Sequence, residues 1–583
     1  MKKIPAVLSL LVMLSCGRTP SATDPASVVS RDTAFEKMCG NFVEDLWRHS
    51  PEWASSLGRH EYDDILEVSY PEARTKKVNF CKAWMDSLYT FDPKKLSPKN
   101  CTDYYLIENH LAATLWGIIE LKAYEWNPAS YNVGEGFALI LGGTHDSLSG
   151  RLRALYGRME KVPQYYDAAV HNIKNPSLEH TALAIEQNEG NISMFEKDML
   201  DSLRSSSLTP VEKKDFSERA VQCAKAVRSY IAWLKKTDNS HPRDFRLGKK
   251  LYLKKFEYEM VSSFTAEEIY QRALKRKEEL HAEMAKLAKQ LWPKYSRGDK
   301  KAPVDELELI RTVIDRISLD HVSRDSFQLA IEAQIPLLEK FIRENDLLAI
   351  DPSKPLVVRK EPAYMQGVAG ASVSSPGPYE KNGKTYYNVG SMAAWDKERA
   401  ESYLREYNRY ILRILNTHEA VPGHYTQLVY ANQSPDIIKA ILGNSAMIEG
   451  WAVYGERMML ENGFGDNSPE MWLMYYKWHL RSVCNTILDY SVHVLGMSRE
   501  DAIELLTREA FQQRAEAAGK WKRVTLTQVQ LCCYFTGFTE IYELRNELKR
   551  REGNNFSLKK FHEQFLSYGS APVKYIREMM LNP

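Results

Sequence analysis

The segment His418-Glu419-Ala-Val-Pro422-Gly423-His424 puts two imidazoles and a carboxylate into one short stretch of chain. Two histidines one helical turn apart, with a glutamate beside the first, can hold zinc and supply a general base. Here the second histidine comes six residues after the first. At about 100° per residue, that separation turns it about 240° around an ideal helix and away from His418. Continuous helix therefore cannot bring both rings to one ion. Pro422 lacks an N–H, and its ring collides with the carbonyl four residues earlier, that of His418, while Gly423 tolerates unusual dihedrals. The segment from Ala420 to Gly423 is expected to bulge out of the helix and restore four-residue geometry. A catalytic zinc with one position open to water needs a third protein ligand. Glu449, 25 residues after His424, can supply it from a helix that starts at Asn444-Ser445, with Asn444 as N-cap, and ends before Gly463. Gly450 beside it is expected to let that helix approach the zinc helix closely.

Further polar residues have two readings each. Asp489 and His493 lie four apart on the apolar stretch Thr486 to Leu495 and share a helix face. One of them can orient a zinc-bound histidine or touch substrate, or the two form a satisfied buried pair. Tyr534 can offer its phenol to the oxyanion of a tetrahedral intermediate, though in a chain with 32 tyrosines packing is the default. Arg545 can hold a substrate carboxylate or make an ordinary ion pair.

Long segments elsewhere carry apolar residues at helical spacing, such as Phe35, Met38, Phe42 and Leu46, or Tyr403, Tyr407, Ile411 and Leu415. The stretch from Leu274 to Leu291 spaces Lys and Glu as a solvated helix face does. The expected fold is mainly α, a large helical body. One β element interrupts it between Pro355 and Gly390, near the zinc helix, where Leu356-Val-Val358 and Thr385-Tyr-Tyr387 bracket a Gly- and Ser-rich connection as a strand pair. No repeat or linker divides residues 32–583, which are read as one domain with its zinc-binding region at about 410–545.

With 583 residues, 44% hydrophobic and 26% charged, the chain is long enough for a very large core. A net charge of +2, with cations and anions interleaved, removes the electrostatic reason to expect nucleic acid as a partner. Eight cysteines, scattered and including the adjacent Cys532 and Cys533, make no disulfide framework. Residues 1–15 read as a secretion signal, with a basic start and an apolar run too short to span a bilayer. Ser15-Cys16-Gly17 resembles a lipobox, in which Cys16 is acylated. Residues 16–31 then form a flexible tether to an exported, lipid-anchored protein of the cell envelope. No later stretch is apolar and long enough to cross a membrane.

The long signature from His418 to His424, with Glu449-Gly450-Trp451-Ala452, resembles the bacterial family known as domain of unknown function 885. The likeness extends to Leu57-Gly58-Arg-His60-Glu-Tyr62-Asp63-Asp64 upstream, and downstream to Asp489-x-x-x-His493, Tyr534-x-x-Gly537 and Leu544-Arg545. That family looks like a distant relative of helical gluzincin peptidases, which implies a helical body divided by a deep substrate cleft and a zinc-ligating Glu449. Where relatives usually read Pro-Gly-Gln-Ala-x-Ser-Tyr, this chain has Gln528-Val-Gln530-Leu-Cys-Cys-Tyr534. Of that loop Gln530 and Tyr534 survive, as candidates to face substrate. Together these readings lead to the expectation of a zinc hydrolase acting on short peptides, with Zn2+ on His418, His424 and Glu449 and with Glu419 as general base. A non-catalytic zinc lipoprotein binding an extracellular ligand, or a hydrolase of a non-peptide amide or ester, are the alternatives. The expected partners are a peptide and, through the N-terminal lipid, a membrane.

Overall fold

In a computed structural model, residues 25–582 are described, except 238–239, 299–300, 362–370, 381–382, 394 and 435. The signal segment and Cys16 lie outside these residues, as does most of the tether. The helix bearing Phe35, Phe42 and Leu46 already runs from Pro25 to His49, so it starts inside the stretch expected to be tether. Among the described residues no helix is long and apolar enough to cross a membrane.

Helix dominates, and seven helices, numbered here in chain order, build the site: α1 Ala266–Tyr295, α2 Arg409–Glu419, α3 His424–Gln433, α4 Ser445–Glu461, α5 Pro469–His493, α6 Arg514–Thr527 and α7 Cys533–Glu552. Their ends follow local chemistry. Thr265 and Glu268 close a capping box ahead of α1. The Asn444 side chain accepts from Met447 N at 2.9 Å to start α4, as expected from sequence. The periodic run from Tyr403 to Leu415 proves to be two helices, because the Asn408 side chain caps α2 through Tyr410 N and Ile411 N. On α5 every residue from Ser482 to His493 is buried, so this helix is the axis around which the others pack. α1 lies along it, burying Leu280, Met284, Ala288 and Leu291 while its Lys and Glu face outward.

Most of the chain from Phe245 onward forms one hydrophobic core. A second core holds residues from Leu66 to Leu234. A third joins Phe35 to Leu111 with Ile438, Ile441 and Leu442, so the N-terminal helices pack on the connection between α3 and α4. The cysteines Cys532 and Cys533 are buried and unpaired, consistent with apolar packing.

The β element has three strands rather than two: β1 Leu356–Lys360, β2 Ala371–Ser374 and β3 Thr385–Val389, in the order β1-β3-β2. β3 is central, parallel to β1 and antiparallel to β2. The expected connection thus contains a strand of its own, Ala-Ser-Val-Ser, whose small residues disguise the alternation. The rest of the Gly-rich segment lies outside the described residues. Buried Tyr387 on β3 donates to Asn416 Oδ1 at 2.9 Å, which fastens the sheet to α2 two residues before His418.

Candidate metal centre

The backbone between the two histidines breaks outright. α2 ends at Glu419 and α3 begins at His424, with a cis bond between Val421 and Pro422. The expected departure from helix is present, but as a break between two helices rather than as a bulge within one. Gly423 is required there, since a Cβ would fall 1.8 Å from the His418 carbonyl oxygen. α4 holds the break in place: Trp451 Nε1 donates to Pro422 O at 2.8 Å, and a Cβ on Gly455 would already touch the proline ring.

The break brings His418, His424 and Glu449 together. Glu449 Oε2 lies 3.6 Å from His418 Nε2 and 3.3 Å from His424 Nε2. The two rings stand at 88° to one another, their centroids 4.7 Å apart. Glu449 Oε2 is buried and has no aligned hydrogen-bond donor. The side chains of His418, His424 and Glu449 are 9%, 13% and 20% exposed, so the cluster opens to solvent on the glutamate side.

One residue that the sequence reading missed orients the first imidazole. Glu456, fully buried on α4, accepts from His418 Nδ1 at 2.7 Å and from Trp478 Nε1 at 3.0 Å. A carboxylate can only accept, so Nδ1 carries a hydrogen, and Nε2, which faces Glu449, is the nitrogen left for a metal ion. Its spacing was a signal, because Glu456 follows Glu449 by two helical turns and shares its face. Burial opposes a charge on His418, but Glu449 and Glu456 outweigh it and raise its pKa to about 10. His424, and with it His418, holds Glu449 well below the usual carboxylate range against the effect of burial. Such a place calls for a cation. Nitrogen and carboxylate donors at this separation suit zinc, and the orphaned Oε2 is the atom an ion would satisfy.

Glu419 is 8% exposed, and burial raises its pKa. Among the described residues it makes no hydrogen bond or ion pair, so its carboxylate is free beside the cluster. Tyr534, on α7, has its ring 6.5 Å from that of His418. Its oxygen accepts from the Arg523 guanidinium at 3.0 Å, leaving its own hydrogen to donate elsewhere. Arg523 also donates to Gln530 Oε1 at 2.8 Å, so Gln530 belongs to this group through an arginine that sequence did not single out. Gly450 brings a different helix close from the one expected. A Cβ on it would lie 2.4 Å from Gly537 Cα, so α4 crosses α7, not α2, at backbone contact.

Three of the expected site residues turn away from the cluster. Asp489 Oδ1 accepts from Val529 N at 2.8 Å, and the His493 imidazole bonds Val524 O at 2.8 Å. Both shape the turn between α6 and α7, where Val529 has φ of 73°, and neither orients a histidine of the cluster. Arg545 pairs with Glu461 at 2.7 Å and lies over the Tyr542 ring.

A second cluster of similar composition lies in the N-terminal part. The described residues hold two groups of His and carboxylate close enough to share an ion, and the other is His60, Asp63 and His145. Asp63 Oδ2 is 3.2 Å from His60 Nδ1 and 3.0 Å from His145 Nε2, while Ser55 donates to Asp63 Oδ1 at 2.5 Å. The two rings lie parallel, 6° apart in plane, with centroids separated by 3.4 Å. Gly58, with φ of 97°, lets Glu380 approach, and His60 Nε2 faces Glu380 Oε1 at 3.4 Å.

Fold and site thus define a mainly helical protein with a half-enclosed centre of two histidines and one glutamate. The chain belongs to the bacterial family of proteins of unknown function DUF885, which matches residues 51–580. A solved structure described as a candidate lipoprotein of unknown function from Shewanella oneidensis is 49% identical, with a TM-score of 0.85 over 94% of this chain and 100% of that one. A candidate lipoprotein from Colwellia psychrerythraea shares the fold at 16% identity, with a TM-score of 0.76 over 93% of this chain and 98% of its own. No curated protein matches.

Proposed function

We propose that this protein is a zinc-dependent hydrolase of peptide bonds in short peptides, with His418, His424 and Glu449 as the zinc ligands. The observation that carries this reading is the pairing of a converging donor set with a free, buried Glu419 next to it. A purely structural site has no use for that carboxylate. Zinc in such a site supplies Lewis acidity, polarising a carbonyl and lowering the pKa of water. Glu419 takes the proton of the attacking water and passes it to the leaving amine. Tyr534, its oxygen already accepting from Arg523, donates its hydrogen to the developing oxyanion. Glu456 keeps the His418 ring and its tautomer fixed while charge builds. The break at Pro422 sets the angle between the two rings.

Glu419→Gln keeps the size of the side chain and removes the proton acceptor. Peptide-cleavage rates should fall by roughly 10²- to 10⁴-fold with zinc content and melting temperature unchanged. Cleavage at the wild-type rate with zinc bound would remove Glu419 from the mechanism and return the site to a structural or ligand-binding role.

The same reading places the protein in the cell envelope, anchored by a lipid on Cys16. Support comes from the lipobox-like Ser15-Cys16-Gly17 and from the description of both structural relatives as candidate lipoproteins. Radiolabelled palmitate should enter the protein in a bacterial host, and Cys16→Ser should abolish the label.

A further inference from the structure

Two basic side chains beside the centre have no carboxylate within ion-pair distance among the described residues. Lys520 and Arg523 stand three residues apart on α6 and so project from one face of it. Lys520 is 4% exposed, yet among the described residues its ammonium makes neither a hydrogen bond nor an ion pair. Arg523 donates to two neutral acceptors, Gln530 and Tyr534, and has no carboxylate within ion-pair distance among the described residues. The acidic residues around them are already engaged: Glu516 pairs with Arg481 at 2.5 Å, and Glu406 with Lys477 at 2.9 Å. Burial, and then Arg481, push the Lys520 ammonium well below its ordinary pKa. Glu516 and Glu406 oppose that shift from longer range without closing an ion pair, so the Lys520 nitrogen is buried with its hydrogen-bonding capacity unused.

The position of these cations matters as much as their number. Arg523 holds the Tyr534 oxygen, and the Tyr534 ring lies 6.5 Å from that of His418, so a guanidinium with Glu449 acting on it only from longer range borders the reacting region. Arg545, expected from sequence to hold a carboxylate, is occupied by Glu461.

We propose that Lys520 and Arg523 form a subsite for a carboxylate of the substrate. This rests on the hydrolase reading above and adds to it the chemistry of the substrate. A carboxylate can accept the free N–H groups of the guanidinium and the ammonium together, which neither Gln530 nor Tyr534 can do. Two substrate groups carry that chemistry. An α-carboxylate would make the enzyme trim peptides from their C-terminus; an Asp or Glu side chain would direct it to cleave next to acidic residues.

The test reads binding without turnover, on the full chain in detergent, loaded with zinc and carrying Glu419→Gln. Calorimetry compares Ala-Ala-Ala, its C-terminal amide, and acetyl-Ala-Glu-Ala-amide. One of the two carboxylate-bearing peptides should bind roughly ten- to a hundredfold tighter than the uncharged-end amide, the worth of charge-assisted hydrogen bonds. Tight binding of the free acid assigns the subsite to an α-carboxylate, and tight binding of the Glu peptide assigns it to a side chain. Adding Lys520→Met or Arg523→Gln should erase the preference at unchanged zinc content. If Arg523→Gln fails to fold, because it supports Gln530 and Tyr534, Lys520→Met carries the test, since it breaks no hydrogen bond. Equal binding of all three peptides, or a preference that survives Lys520→Met, overturns the proposal. Because turnover is not read, a wild-type protein that cleaves nothing would overturn the hydrolase reading and leave this result standing on its own.

Discussion

The two clusters of histidine and carboxylate share their residue types and nearly share their distances, but they differ in how the rings face. Around Glu449 the imidazoles stand at 88°, so their in-plane lone pairs can meet at one point. Around Asp63 the imidazoles lie 6° from parallel at 3.4 Å, and lone pairs in parallel planes do not meet. The His60 ring bonds one carboxylate oxygen, His145 Nε2 lies 3.0 Å from the same oxygen, and Ser55 donates to the other. Ring orientation, set by the backbone, separates a geometry suited to caging an ion from a stacked clasp. In the first case the break at Pro422 supplies the angle. In the second, Gly58 and the approach of Glu380 hold the stack against the segment between β2 and β3.

The contrast can be broken most directly by counting metal. Zinc titration of the purified protein should reach about one equivalent. His418→Ala, His424→Ala or Glu449→Ala should each lose most of it, whereas His60→Ala and His145→Ala should not. Two equivalents in the wild type, one of them lost with His60, would show that the stacked rings can turn to share an ion. Glu456→Gln sharpens the first cluster: loss of the partner of His418 Nδ1 should weaken zinc roughly ten- to a hundredfold, measured by competition with a chelator. Asp63→Asn addresses the second cluster as a clasp. It weakens a buried acceptor of several hydrogen bonds and should cost about 1–3 kcal/mol in denaturant unfolding without changing zinc content. His145→Gln, which removes one partly exposed partner of Asp63, should cost less than about 1 kcal/mol, and a larger loss would mean that the ring stack itself bears on the fold.

What was legible in the sequence followed the range of the forces involved. Helical class and the start of α4 come from periodicity and a cap, both local. The departure at Pro422 could be derived because a six-residue separation is incompatible with continuous helix, although its form as two separate helices could not. Glu456 was within reach through its spacing from Glu449. Lys520 and Arg523 were not, since a cation is recognised as unpaired only when the whole fold shows which carboxylates are already taken. Asp489 and Arg545 show the opposite: their residue types suit a site, but the structure gives them Val529 and Glu461 as partners, which sequence does not reveal. The strand Ala371–Ser374 escaped because a run of small residues carries little alternation in hydrophobicity.

The glycine crossing of α4 and α7 has a consequence for how such a centre could change. With Gly450 against Gly537, and a Cβ on Gly537 falling 1.7 Å from Ala446 O, the two helices are seated backbone to backbone. Glu449 is next to one glycine, and Tyr534 is one turn before the other. The span from the gripping carboxylate to the phenol is therefore a fixed gauge, and no side chain at the crossing is left to adjust it. Lys520 on α6 makes no hydrogen bond to either end of that span, so it can be exchanged without moving the gauge, whereas Arg523 holds the phenol itself. On the proposed hydrolase reading, a new substrate preference would be acquired at Lys520 while the span from Glu449 to Tyr534 stayed as it is.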